Sequence, residues 1–259
     1  MRRQRQDAIC AELERTGRVT VEALAASWGV QPITIRRDLD DLAERGLLIR
    51  VRGGGVRSTR VSLEFSYSDR LQQQLPAKRA IARAAAAQVE SGQTVLLDTG
   101  STTQLIAREL SGRTGLTIVT NSLAVGYELR GSAGLQVVVL GGLARPGGIE
   151  LVGPFTERQL AEIRADLAFL GADAVDAAAG FYAASPEVAR IETLMIRAAA
   201  RAVVVATADK LQRRSFVRYA RLSEVDAWVT SGEIEPAAER RLRRQLQVLQ
   251  VPSLEDAQR

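Results

Sequence analysis

The sequence predicts an α/β chain in two parts: a small, basic, helix-rich module, then a larger domain built on a mostly parallel sheet. Three observations predict it. Apolar residues recur at helical spacing through the opening segment, broken by Gly17, Gly29 and Gly46. From Thr94 onward, short continuous apolar runs alternate with helical stretches, the pattern of a parallel sheet covered on both faces. The charge is also unevenly divided. Through Arg60 there are 12 Arg against 8 Asp+Glu, whereas the remainder carries 23 Lys+Arg against 22 Asp+Glu. Most of the formal +5 therefore sits in the first part, as expected of a nucleic-acid-binding module joined to a nearly neutral body.

In the opening module, residues 3–15 read as a helix with Ile9 and Leu13 on one face. Thr16-Gly17 breaks it, and Arg18-Val19-Thr20 is short and extended. Thr20 is a good N-cap for a helix from Val21 to Trp28, whose stripe Val21, Leu24, Ala25 and Trp28 reads as buried. Gly29 suits a left-handed C-cap. A second helix starts near Gln31 with Pro32 in its first turn, turns Ile35, Leu39 and Leu42 inward, and ends at Gly46. Leu47 to Val51 is a short strand, and Arg52-Gly53-Gly54-Gly55 a tight basic turn. Helix, turn, helix, strand and glycine hairpin make a winged helix-turn-helix. Gln31, Thr34, Arg36 and Arg37 then project toward a DNA groove, where Arg pairs bidentately with guanine. Arg50, Arg52, Gly53 and Gly54 on the wing suit backbone or minor-groove contact.

The module spans 1–57, followed by a polar linker over 58–76 that contains Phe65 and Tyr67. The second domain spans 77–253. A helix from Lys78 to Val89 precedes strands at 94–97, 116–119, 135–140, 167–170, 202–206, 225–229 and 248–251. Polar and glycine residues gather just after them, where open α/β sheets bind ligands. Asp98-Thr99-Gly100-Ser101-Thr102-Thr103 opens a helix and offers amide groups and hydroxyls to a phosphate. Asp98 suits sugar hydroxyls instead. Gly153-Pro154 reads as a loop break, and Glu235 to Leu249 as an amphipathic outer helix.

Composition excludes several chemistries. The chain has no histidine and a single cysteine, Cys10, so His-based acid/base catalysis, Ser-His triads, disulfides and most zinc sites are absent. No cofactor or metal is expected. No signal peptide or apolar stretch of membrane-spanning length is visible, and a soluble cytoplasmic protein is expected. Only Lys78 and Lys210 among 35 basic residues are lysine, which singles them out.

The segment GRVTVEALAASWGVQPITIRRDLDDLAERGLLIRVRGGGV resembles the amino-terminal signature of the DeoR family of bacterial regulators. KRAIARAAA, GQTVLLDTGSTT, TIVTNSLAV, VVVLGG, LVGP and FLGAD resemble that family's sensor domain. The resemblance implies a sensor with the fold of ribose-5-phosphate isomerase. It also implies a phosphosugar site formed by Asp98 to Thr103, the Thr120-Asn121-Ser122 turn, Gly141-Gly142 and Lys210. Arg190, Glu192 and Thr207 depart from the family pattern. The expectation is a repressor of sugar or sugar-phosphate catabolism genes, a homo-oligomer on double-stranded operator DNA, released by a phosphorylated sugar or polyol and in no contact with a membrane. The alternative is a sugar-phosphate isomerase-like enzyme carrying a DNA-binding domain, with Asp98, Asp173, Asp209 and Lys210 as its available acid/base groups. A regulator with a degenerate sensor is a third reading.

Overall fold

The computed structural model describes residues 2–44, 48–56, 67–145 and 148–253. The chain divides into two compact units, Met1–Ser66 and Tyr67–Arg259. Gly46, Leu47, the connector through Ser66 and the terminal EDAQR lie outside the described residues.

The first unit runs α1 (Arg2–Thr16), β1 (Arg18–Thr20), α2 (Val21–Trp28), α3 (Pro32–Glu44), β2 (Ile49–Val51) and β3 (Gly54–Val56). Thr20 caps α2 by accepting from the Ala23 N–H, and Gly29 closes it in the left-handed conformation. Ile9, Leu13, Val21, Leu24, Ile35, Leu39 and Leu42 form the core. Asp38, 1% exposed, ties α3 to α1 through Arg5, with Nε to Oδ2 at 2.5 Å. Strands β1, β3 and β2 form an antiparallel sheet with β3 central. This is a winged helix-turn-helix. Trp28 corrects the expected buried stripe: it is 38% exposed, because α2 has only two turns and Gly29 reverses the chain before position 28 reaches the core.

The second unit continues with α4 (Tyr67–Gln72), α5 (Leu75–Ala86), β4 (Thr94–Leu97), α6 (Ser101–Leu110), β5 (Leu116–Thr120), α7 (Leu123–Leu129) and β6 (Leu135–Val139). Then come β7 (Leu143–Ala144), β8 (Leu151–Val152), α8 (Pro154–Ala161), β9 (Ala165–Leu170), β10 (Ala174–Asp176), β11 (Gly180–Ala183) and α9 (Pro186–Ala198). The chain ends with β12 (Ala199–Val205), β13 (Val217–Ala220), β14 (Ala227–Thr230), α10 (Pro236–Arg243) and β15 (Gln247–Gln250). A seven-stranded sheet runs β15-β14-β12-β9-β4-β5-β6, and every pairing in it is parallel. Alternate residues feed opposite faces, as strand geometry requires. Val95, Leu97 and Phe169 pack under α5 and α6, while Leu96, Ala168 and Leu170 pack with α9.

The strand order sets the site. From β4 the chain moves outward to β5 and β6, then returns to β9 on the other side of β4 and proceeds to β12, β14 and β15. The order reverses between β4 and β9, and at such a switch point open α/β sheets bind ligands outside the carboxyl ends of the strands. Three expectations change. Residues 67–76, assigned to the linker, contribute α4 and the start of α5 to the second unit. Gly153-Pro154 opens α8, since proline's missing N–H suits a first helical turn. The helix expected over 235–249 stops at Arg243, and Gln247–Gln250 pairs with β14 instead, so tertiary pairing overrides the amphipathic pattern.

Candidate functional site

The first unit presents an exposed basic face. Gln31, Arg36 and Arg37 on α3 are exposed and Thr34 is half-buried, while Ile35 and Leu39 hold the opposite side in the core. Among the described residues, neither Arg36, Arg37 nor Arg52 has an ion-pair or hydrogen-bond partner, so their donors are open to phosphate or base edges. Ile33, 53% exposed, was missed from the sequence. It lies three residues before Arg36 on the same helix face, and an apolar group there matches a thymine methyl. Arg52 and Gly53 form the exposed tip between β2 and β3.

Two wing residues take other roles. Arg50 is turned back, its Nε 2.7 Å from Asp40 Oδ1 and its guanidinium also donating to the Gly54 carbonyl. It braces β2 and β3 on α3. Gly54 is buried in the central strand, and a Cβ there would lie 2.0 Å from the Val19 carbonyl oxygen. The expected DNA contact at Gly54 is therefore corrected to close strand packing.

In the second unit, the expected effector residues collect at the carboxyl edge of the parallel sheet. Asp98 follows β4 and is 1% exposed. Its Oδ2 accepts from the Gly171 N–H at 3.1 Å, from β4 to the end of the neighbouring β9, while Oδ1 has no partner. Burial raises its carboxyl to about 7, against the hydrogen bonds from Gly171 and Thr99. Ser101, Thr102 and Thr103 begin α6 and are buried. No side chain caps this helix, whereas Ser122 caps α7 and Ser185 caps α9. The first amides of α6 thus have no side-chain partner. Tyr67 on α4 donates to Gln104 Oε1 in α6, and its hydroxyl also lies 3.3 Å from the Gly100 carbonyl, so it braces the start of this helix.

After β5, the Thr120-Asn121-Ser122 turn is fully buried. Thr120 Oγ1 accepts from the Ser122 N–H, and Ser122 Oγ from the Val125 N–H. Asn121 donates to the Leu151 carbonyl, and its Oδ1 is without a partner. Gly141 and Gly142 are exposed at the end of β6 and lie against α8. The Gly141 N–H donates to Gln159, and a Cβ on Gly142 would meet Thr156 Oγ1 at 2.1 Å. Gly142 is therefore required for packing against that helix, whereas a Cβ at Gly141 would find ordinary contact with Gln159 at 3.5 Å.

Lys210 lies in the tight turn Ala208–Gln212 after β12. Lys78, on α5, is 6% exposed and donates to the Arg70 carbonyl. The chain's two lysines are electrostatic neighbours. Burial and then Lys210 lower Lys78 to about 8, and burial and then Arg213 lower Lys210 to about 8. Arg70 repels both lysines, has a buried Nε without a partner, and sits 3.7 Å from Asp173. Asp209 is held by Thr207 and by Arg213 at 2.6 Å. The scarcity of lysine was the signal that could have found Lys78. Asp173, Glu150 and Glu192 complete the surroundings of Asp98. Glu150, also missed, is 2% exposed and paired with Arg145 at 2.5 Å.

The fold and these two faces define a class: a DNA-binding winged helix-turn-helix joined to an α/β sensor. Residues 5–61 match the DeoR-like helix-turn-helix domain, and residues 73–232 the DeoR C terminal sensor domain. The chain belongs to the DeoR family and is a DNA-binding transcriptional regulator. It is 39% identical to the HTH-type transcriptional regulator GlpR of Haloferax volcanii over 83% of this chain and 84% of that one. It is 31% identical to the glycerol-3-phosphate regulon repressor of Escherichia coli, over 88% and 90%. The transcriptional repressor AccR of Agrobacterium fabrum is also 31% identical, over 88% and 89%. These relatives are regulators by name, not enzymes. Ribose 5-phosphate isomerase A from Methanocaldococcus jannaschii overlaps 51% of this chain and 52% of its own, at 22% identity and a TM-score of 0.39. That partial overlap carries no argument about function. No helix among the described residues is long and apolar enough to cross a membrane.

Proposed function

We propose that this regulator represses genes of sugar or sugar-phosphate catabolism and leaves its operator when a phosphorylated sugar or polyol binds the sensor. One observation carries the reading. The uncapped start of α6 and the chain's only two lysines lie at the same carboxyl edge of the sheet, where the strand order reverses. Helix-start amides without a side-chain cap and two neighbouring ammonium groups, one buried and one half-buried, both favour a phosphate dianion. Asp98 then accepts from a sugar hydroxyl through its unpartnered Oδ1. The first unit binds operator DNA through Gln31, Thr34, Arg36, Arg37 and Arg52. The protein acts as a homo-oligomer, because one winged helix makes too few contacts for a specific genomic site and two-fold operators are read by dimers.

The test is operator affinity with and without a panel of sugar phosphates, beside the unphosphorylated sugars. Wild type, the double variant Ser101→Ala/Thr102→Ala, and Lys210→Ala are compared. DNA binding should survive in both variants while the response to the metabolite is lost. An equal response to unphosphorylated sugar would overturn the phosphate assignment, and a normal response in Lys210→Ala would remove Lys210 from the site.

A further inference from the structure

Glu192 lies on α9, in the midst of the apolar side chains Val188, Ile191 and Met195, and is 4% exposed. Its Oε2 is buried without a partner, and among the described residues no Lys or Arg pairs with it. A carboxyl oxygen in such a place loses its hydration without a hydrogen bond in exchange. It is not alone. Glu192 senses Asp98, Asp173 and Glu150, in that order after burial itself. Two of those acids are satisfied: Glu150 by Arg145 and the Ile149 N–H, Asp173 by the Ala184 N–H at 2.9 Å and by Arg70. Asp98 Oδ1 is not, and Asn121 Oδ1, from the neighbouring strand end, is not either. Three buried oxygens that want donors therefore remain on these residues.

We infer that Glu192 is a ligand-binding residue of the sensor which, with Asp98, selects effectors bearing hydroxyl groups on the carbons remote from the phosphate. This rests on the effector reading above and adds to it the residue that distinguishes one phosphate ester from another. A hydroxyl fits better than an ammonium group. Two neighbouring buried carboxyls repel each other when ionised, which favours their protonated forms. A hydroxyl donates to a carbonyl-type oxygen and accepts from a carboxylic O–H, so it matches a neutral acid in either sense. Without ligand, Glu192 is a cost to the fold, and a side chain of similar shape with no polar atoms removes that cost.

The experiment uses the full-length protein as wild type, Glu192→Gln and Glu192→Met. Melting is followed without ligand and with inorganic phosphate, sn-glycerol 3-phosphate and ribose 5-phosphate. Inorganic phosphate, which has only the anionic end, should shift all three proteins alike. The two esters should raise wild type and Glu192→Gln further but bind Glu192→Met about tenfold or more weakly, as loss of a buried hydrogen bond requires. Without ligand, Glu192→Met should melt ~2–4 °C higher than wild type. The inference is overturned if Glu192→Met responds to the esters as wild type does, or if it melts lower. It is also overturned if Glu192→Gln loses the response as fully as Glu192→Met, since recognition would then be of a cationic group. If no ester shifts wild type, the effector reading fails by itself, and the ligand-free melting comparison alone decides whether Glu192 is kept at a cost.

Discussion

Replacing Lys78 by Met should stabilise the ligand-free protein at pH 7. Lys78 Nζ is buried beside Lys210, and its affinity for a proton falls from the ordinary 10.5 to about 8. That drop corresponds to about 3 kcal/mol held against the charged form. Methionine keeps the unbranched stem without the charge, and it relieves Lys210 of its nearest ammonium neighbour. Against this, the Arg70 carbonyl loses a donor, at about 1 kcal/mol. The net expectation is a gain of about 2 kcal/mol, or ~4–8 °C in melting temperature. The pH dependence identifies the cause. Because the folded-state value lies below the unfolded one, wild type gains stability as pH rises from about 8 toward 10.5. Lys78→Met lacks that rise, so its advantage should be largest below pH 8 and fade as pH approaches 10.5. Calorimetry at pH 7 and pH 9.5 checks this. A variant less stable at pH 7, or an advantage equal at both values, would refute the view that Lys78 is a buried charge awaiting an anion.

Other expectations follow from single contacts. Arg36→Ala or Arg37→Ala should weaken operator binding by ~1–3 kcal/mol if the residue reads a base, whereas Arg52→Ala should weaken all sequences alike and flatten the salt dependence; gel shifts at two salt concentrations separate the cases. Asp38→Ala strands the buried guanidinium of Arg5 and should cost the first unit ~3–5 kcal/mol, measured by denaturant melts of the full chain. Asp98, whose folded-state value lies at about 7 against an ordinary 3.8, should make stability fall as pH rises through that window, and Asp98→Asn should flatten the slope.

Much of the fold was legible because each element announced itself locally. Thr20 and Gly29 bracket α2 by cap chemistry alone, and the seven long strands were read from uninterrupted apolar runs that a doubly covered sheet requires. What was not legible depended on distant partners. The pairs β7–β8 and β10–β11–β13 are short and mixed in character, so their pairing rather than their pattern defines them. Arg50 looked like any wing arginine until Asp40 was placed beside it. Gly54 read as part of a tight turn suited to DNA contact, but its lack of a side chain is demanded by the Val19 carbonyl of another strand. The Asp98–Thr103 loop was recognisable as the opening of a helix from its small polar residues. Glu150, Glu192 and Asn121 gave no such signal, because an acid or amide acquires meaning only when its burial and missing partners are known.

The same missing partners bear on how such a sensor would switch. A ligand that binds two states equally moves neither, however tight it is. The coupling must come from interactions present in one state alone, and an ordinary value is ~1–3 kcal/mol. The ligand-free sensor carries an uncapped helix start, two lysines with depressed proton affinity and two unpartnered carboxyl oxygens at one sheet edge. Under the proposed function, each is a cost that a phosphorylated polyol would offset on binding. An arrangement that presses these like charges together is therefore favoured with ligand and disfavoured without it, whereas one that lets them separate is favoured without it. Under the proposed function, differential ligand affinity would arise from this electrostatic frustration, and neutralising it by substitution should shift the resting operator affinity as well as the response. Lys78→Met is thus expected to change DNA binding in the absence of any metabolite. Operator affinity of the unliganded variant equal to that of wild type would mean that the charge cluster serves ligand binding only and the coupling lies elsewhere.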